Sequence, residues 1–255
     1  MNTKLQQILA ALGALIFTPG IGFACEEFNF AAATAIDHVP YQITAPGLYY
    51  LSTDCTYNAA GAPAILIEAN EVVLDLNGKS LIASGPSTSP DVGIGIAVLN
   101  HEDVTIQDGD VVGFGAYGVL LDASDGKKEH NEKNTVCNVH FNNDLIGVLL
   151  VSGSIDEIEH CDFEGGSVGI YDIASLGGDR FQADNFQQQT PSEAVGMSVA
   201  VFVPPGNGTL TEDCLVADDA YGLVLGSAND KYRFDSFAND GVKVIGGTEE
   251  NAGDL

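Results

Sequence analysis

From about Ala64 onward the chain alternates short apolar runs with Gly, Asn and Asp. Ala64-Ile-Leu-Ile, Val72-Val-Leu-Asp-Leu, Val104-Thr-Ile, Gly147-Val-Leu-Leu-Val and Tyr221-Gly-Leu-Val-Leu predict strands. No stretch carries the period of a convincing amphipathic helix. One element returns in register: an apolar residue, four intervening positions, then apolar-Gly-apolar. It occurs as Val112…Tyr117-Gly118-Val119, Phe141…Ile146-Gly147-Val148, Phe163…Val168-Gly169-Ile170 and Val216…Tyr221-Gly222-Leu223. Looser copies sit at Gly95-Ile96, Gly196-Met197 and Gly241-Val242. The steps between these glycines are 23, 29, 22, 27, 26 and 19 residues.

A fixed signature at a variable step predicts a solenoid. Each coil must return the chain one strand spacing, about 4.8 Å, above its start, while the outer turns lengthen freely. The Gly marks either a positive-φ bend or a close approach of the next coil. Asn and Asp beside the strands suit left-handed bends and stacked ladders. A leucine-rich horseshoe is excluded by the missing leucine-asparagine period, and a left-handed hexapeptide helix by the missing six-residue period. The signature divides the chain into about seven coils over residues 64–243. Residues 25–63 are expected as an N-terminal cap and residues 244–255 as an acidic tail. That tail is too short to cover the last coil, so the C-terminal end is expected to fray or to self-associate.

The opening Ile43-Thr-Ala-Pro-Gly47-Leu-Tyr-Tyr-Leu51, then Ala64-Ile-Leu-Ile, then Val72-Val-Leu-Asp-Leu-Asn-Gly78 resembles the first coils of the right-handed parallel β-helix superfamily. That superfamily includes pectate-lyase-like and NosD-like proteins. The resemblance covers most of the chain and marks a fold rather than a catalytic motif. Many members carry His after the Leu-Asp-Leu-Asn-Gly run, where this chain has Lys79. It implies an all-β, right-handed parallel β-helix with a polysaccharide groove on one outer face. In lyases of the superfamily, Lys or Arg can act as the base, and Ca²⁺ on Asp acidifies the proton removed.

Two groups of residues fit that chemistry. Arg180 lies eleven residues after Gly169 and Arg233 eleven after Gly222, each followed by Phe, which predicts equivalent places two coils apart. They are candidates to grip sugar carboxylates or to act as base, with Lys231 and Asp235 completing a catalytic set and Asp179 binding substrate. Alternatively, each Arg pairs with a neighbouring acid. The excursion Asp122–Asn134 gathers Lys127, Lys128 and His130 as substrate-binding candidates on a projecting loop, or simply as a mixed-charge surface. Asp218-Asp219 is a candidate Ca²⁺ site or an adjacent carboxylate pair for glycoside hydrolysis. The Asn-Thr-Asp, Gly-His-Gly and Arg-Ile-Lys runs of polygalacturonase-like enzymes are absent, as is the Asp-Pro-His-Asp run of alginate epimerases. Cys137 with His140, and His160 with Cys161, stand at odd separations that should not converge on a transition metal.

Charge narrows the partners. The formal net charge is −27, which argues against nucleic acid and anionic lipid and makes a uronate polymer dependent on a bridging cation. Lys4, the apolar Ile8–Phe17 and the small residues of Gly22-Phe23-Ala24 predict a cleavable export signal over residues 1–24. Acylation at Cys25 is the alternative. No later segment is long and apolar enough to span a bilayer. Export makes a Cys25–Cys55 disulfide plausible. Cys137, Cys161 and Cys214 are expected as buried thiols, the last two equivalent and two coils apart. The function expected is an exported, periplasmic or extracellular protein directed at a polysaccharide, with lyase-like elimination if it is catalytic. The alternatives are a non-catalytic surface or matrix module and a NosD-like metal-site assembly factor.

Overall fold

The computed structural model describes residues 29–58, 61–84, 93–123, 133–151, 156–173, 178–187, 198–205, 208–217, 219, 221–233, 235–238 and 240–250. The expected export signal lies outside them. Among them no helix is long and apolar enough to cross a membrane. The strands pair in parallel and build two sheets. One sheet runs through nine strands from Tyr41–Ile43 to Val242–Gly246, and the other assembles sixteen, among them the two longest, Val104–Val112 and Thr135–Asn142. The chain is an all-β, solenoid-like stack of parallel rungs.

The stack is longer at both ends than the repeat predicts. Tyr41 pairs with Ile65, Gly47 with Val72 and Cys55 with Leu81, so residues 34–57 form rungs rather than a separate cap. Thr248 and Glu249 pair with Lys231 and Tyr232, which brings part of the expected tail into the second sheet. The glycine signature misses these rungs because the glycine column does not persist in them. Ile65 and Ile96 are register partners, which places Ala64 where the next rung has Gly95. Leu223 pairs with Val244, which places Lys243 where the preceding rung has Gly222.

Glycine is needed in this column for close approach, not for a left-handed bend. A Cβ on Gly147 would lie 2.5 Å from Phe163 Cδ1 and 2.7 Å from the Gly169 carbonyl oxygen; Gly169 faces Phe186 at the same 2.5 Å. None of Gly95, Gly118, Gly147, Gly169 or Gly222 has a positive φ. Phe141, Phe163 and Phe186 stack across successive rungs with ring centroids 4.9 and 4.8 Å apart. The stack gives way to Val216, and one rung's glycine place is taken by Ala200. Gly196 and Gly241 are therefore out of register with the column, and Gly196 lies outside the described residues.

The left-handed bends fall elsewhere. Asp108, Asn138, His160, Ala183 and Asp213 have φ between 52° and 59° and turn successive rungs of the larger sheet. Asp and Asn tolerate that conformation through local hydrogen bonding. The corners are closed by Asp and Asn side chains. Asn134 Oδ1 accepts the Val104 N–H, Asp156 Oδ1 the Asn134 N–H, and Asp179 Oδ1 the Asp156 N–H, at 3.1, 3.0 and 2.8 Å. Asp184 and Asp235 do the same for Cys161 and Cys214, and Asp144 for Phe114. Each corner side chain thus satisfies a backbone donor of the preceding rung that would otherwise be buried without a partner. Between the corners run inward columns such as Leu74, Ile106, Val136, Ile158 and Phe181, all fully buried.

Candidate functional site

The expected register of Arg180 and Arg233 needs correction. Arg180 pairs with Leu210 and Leu210 with Lys231, whereas Arg233 pairs with Glu212 and Glu212 with Gln182. The two Arg are offset by two residues because the corner after the glycine column differs in length. Gly169 is eleven residues from Arg180, but Gly222 only nine from its counterpart Lys231. Both guanidiniums nevertheless converge on the outer face: Arg180 Nη2 and Arg233 Nη2 donate to the same Glu212 Oε2, at 2.7 and 2.9 Å. Lys231 pairs with Glu250. Burial pushes the Glu212 carboxyl up, but hydrogen bonds from Arg233 and Arg180 outweigh it and hold the group below its ordinary value. The Arg pair is therefore engaged in an ion-pair network, the alternative left open for it. Glu212→Gln should lower stability by about 1–2 kcal/mol, screening by solvent being included, as read by the urea midpoint. An unchanged midpoint would mean that the network contributes nothing.

Asp179 and Asp235 do not join that face. Both are corner acids turned into the stack, as is Asp219, which is 2% exposed. Asp218, with Lys127, Lys128 and His130, lies outside the described residues. Among the described residues, no three His, Cys, Asp or Glu side chains form a group able to hold a metal ion. Cys55, Cys161 and Cys214 are buried free thiols, so the Cys25–Cys55 pairing is not made. Burial raises the Cys161 and Cys214 thiols well above their ordinary range. Cys137 is fully buried and disulfide-bonded rather than a thiol. It stands in the outward column with Gln107 and Glu159, not in the core.

A different outer column is better formed for binding. Beyond the left-handed bend, Ser80, Asp110, His140, Asp162 and Asn185 occupy one outward position on five successive rungs. The Ser80 hydroxyl donates to Asp110 Oδ2 at 3.0 Å, and the Asn185 amide to Asp162 Oδ1 at 3.0 Å. His140 sits between carboxylates, with Nδ1 3.3 Å from Asp110 Oδ1 and Nε2 3.8 Å from Glu164 Oε2. Its side chain is 37% exposed. Two shallow cavities of about 290 and 340 Å³ share His140 and Asp162; His160, Asn138 and Asp108 line the first, Glu164, Asn185 and Gln187 the second. Chemically the column offers hydrogen-bond acceptors and donors and one imidazole.

His140 meets its partners through rung stacking, not through Cys137. The signal was present: His140 and Asp162 each stand seven residues before their rung glycines, Gly147 and Gly169. No family model matches the chain. No curated protein matches it either. The class that fold and site define is an all-β, parallel-stacked, solenoid-like protein with a polar outer groove.

Proposed function

We propose that this chain is a right-handed parallel β-helix protein, exported and directed at a polysaccharide that lies along the column from Ser80 to Asn185. The observation that carries the reading is His140, held half-exposed between Asp110 and Glu164 over two adjoining shallow cavities. Hydroxyl, carboxylate, imidazole and amide groups recur once per rung, about 4.8 Å apart. Such mixed donors and acceptors suit the hydroxyls of successive sugars. The column is acidic, which favours a neutral glycan; a uronate polymer would need a bridging cation such as Ca²⁺.

Elimination at Arg180 or Arg233 is the less supported reaction, since a base there would first have to leave Glu212. The test is a binding and turnover screen of the purified protein with neutral and uronate polysaccharides, with Ca²⁺ or with chelator. Neutral polymer should bind, and His140→Ala should weaken it about tenfold, the loss of one good hydrogen bond. Binding that His140→Ala leaves intact would remove the column from the site. Unsaturated product lost in Arg180→Ala would restore the lyase reading.

A further inference from the structure

The inward column formed by Ile67, Val98, Leu121 and Leu150 is aliphatic until it reaches Asp172. Asp172 is completely buried, and Asp179, across the corner between the two sheets, is 1% exposed. Thr209 Oγ1 donates to Asp172 Oδ2 at 2.6 Å. Asp179 Oδ1 accepts the Asp156 N–H at 2.8 Å, and no donor among the described residues reaches Asp179 Oδ2. The Asp172 carboxylate lies within hydrogen-bonding reach of the Asp179 carboxyl. Two carboxylates cannot bond one another, so one of them must carry a proton. Asp172 already receives a hydroxyl, which favours its charged form, and Asp179 has the oxygen without a donor.

We propose that Asp179 is the protonated partner, donating to Asp172, and that this proton is the catch of a pH-operated clamp holding the two sheets together at the corner. The surroundings offer no substitute for it. On the nine-stranded sheet Asp172 is followed in its column by Val203 and preceded by Leu150, both apolar. On the other sheet the ladder contributes Asp156 from the rung before, Thr209 from the rung after and Asp230 beyond that. The nearby cations turn outward: Arg180 to Glu212, Lys133 to Glu157 and Lys231 to Glu250. Burial, and then the charges of Asp172 and Asp156, push the Asp179 carboxyl up to about 9. Once the proton leaves, two like charges face each other in a medium of low dielectric, and the corner is driven apart.

A folded-state value above the unfolded one means stability that is full below about pH 4 and lost as pH rises towards 9. Asp179→Asn keeps a donor to Asp172 and an acceptor for Asp156 but cannot titrate. Urea unfolding of the full chain, wild type and D179N, from pH 4 to 9.5 tests the clamp. The two should be similar near pH 4. Above it the wild-type unfolding constant should rise about tenfold per pH unit relative to D179N. Amide exchange at Arg180 and Leu210, whose N–H groups bond Asp156 O and Asp179 O, should accelerate selectively in the wild type at alkaline pH. Parallel pH profiles would overturn the proposal. Should D179N fail to accumulate, Asp172→Asn removes the neighbouring charge and should narrow the pH range of the wild-type slope; an unaltered slope overturns the proposal equally.

Discussion

Phe163→Ala should cost the fold about 3–5 kcal/mol, and Gly147→Ala, which adds one methyl opposite that ring, about 1–3 kcal/mol. Phe163 is 2% exposed and stacks between Phe141 and Phe186, so its removal leaves a cavity bounded by two rings that lose their partner. In a stacked chain each rung touches only its neighbours, and a central defect cannot be relieved by shifting the whole core. The Gly147 methyl would meet Phe163 Cδ1 at 2.5 Å and the Gly169 carbonyl at 2.7 Å. The ring can shift; the carbonyl belongs to the next rung and cannot. The two substitutions share one space, so the double variant should lose less than their sum, though more than Phe163→Ala alone. Urea midpoints of the four proteins decide this. Strict additivity would show that the glycine column is not kept small by the aromatic stack.

The same packing explains what was legible in the sequence. A glycine that must yield to a ring recurs at a constant place. Before Gly147, Gly169 and Gly222 the turn between the sheets spans three residues, so counting backwards gives true register there. Before Gly118 the turn is one residue longer, and Val111, not Val112, pairs with Phe141. Cys161 and Cys214 stand eight residues before Gly169 and Gly222, and they lie in one inward column with Asp184 between them. Counting forwards crosses the corner where rung lengths differ, and it misplaces Arg233 by two residues relative to Arg180. The acids were harder to read. Asp179, Asp219 and Asp235 look like surface chemistry in a chain of charge −27, yet each is a corner residue, buried or largely so. Nothing local distinguishes a carboxylate that caps the preceding rung from one that meets solvent. The distinction becomes visible only when an N–H of the rung below is found on its oxygen, as for Asp156 on Asp179. His140 and Asp110 are thirty residues apart and meet only through rung stacking.

Stability should peak in acid, near pH 4 to 5, and fall towards neutrality. Burial raises Asp156 to about 7 and Asp235 to about 6, and lifts Asp144 and Asp184 well above the carboxylate range. Their folded values lie above the unfolded one, near 4, so their contribution is complete below that pH and declines as pH rises through each folded value. For Asp156 that window runs from about 4 to 7 and is worth on the order of 4 kcal/mol. Glu212 works in the opposite sense. Arg233 and Arg180 overcome its burial and lower it, so its contribution is present above the unfolded value and is lost as pH falls further. The two limbs enclose the maximum. Surface repulsion in a chain of charge −27 would also weaken the fold as pH rises, and salt separates the two causes. At 1 M salt the Debye length is about 3 Å, which screens surface charges but barely reaches buried carboxyls. Melting temperatures from pH 3 to 8, at low and at high salt, should keep their decline above pH 5 in both. A decline that vanished at 1 M salt would assign it to the surface, and would mean that the corner acids are solvated well enough to ionise where they stand.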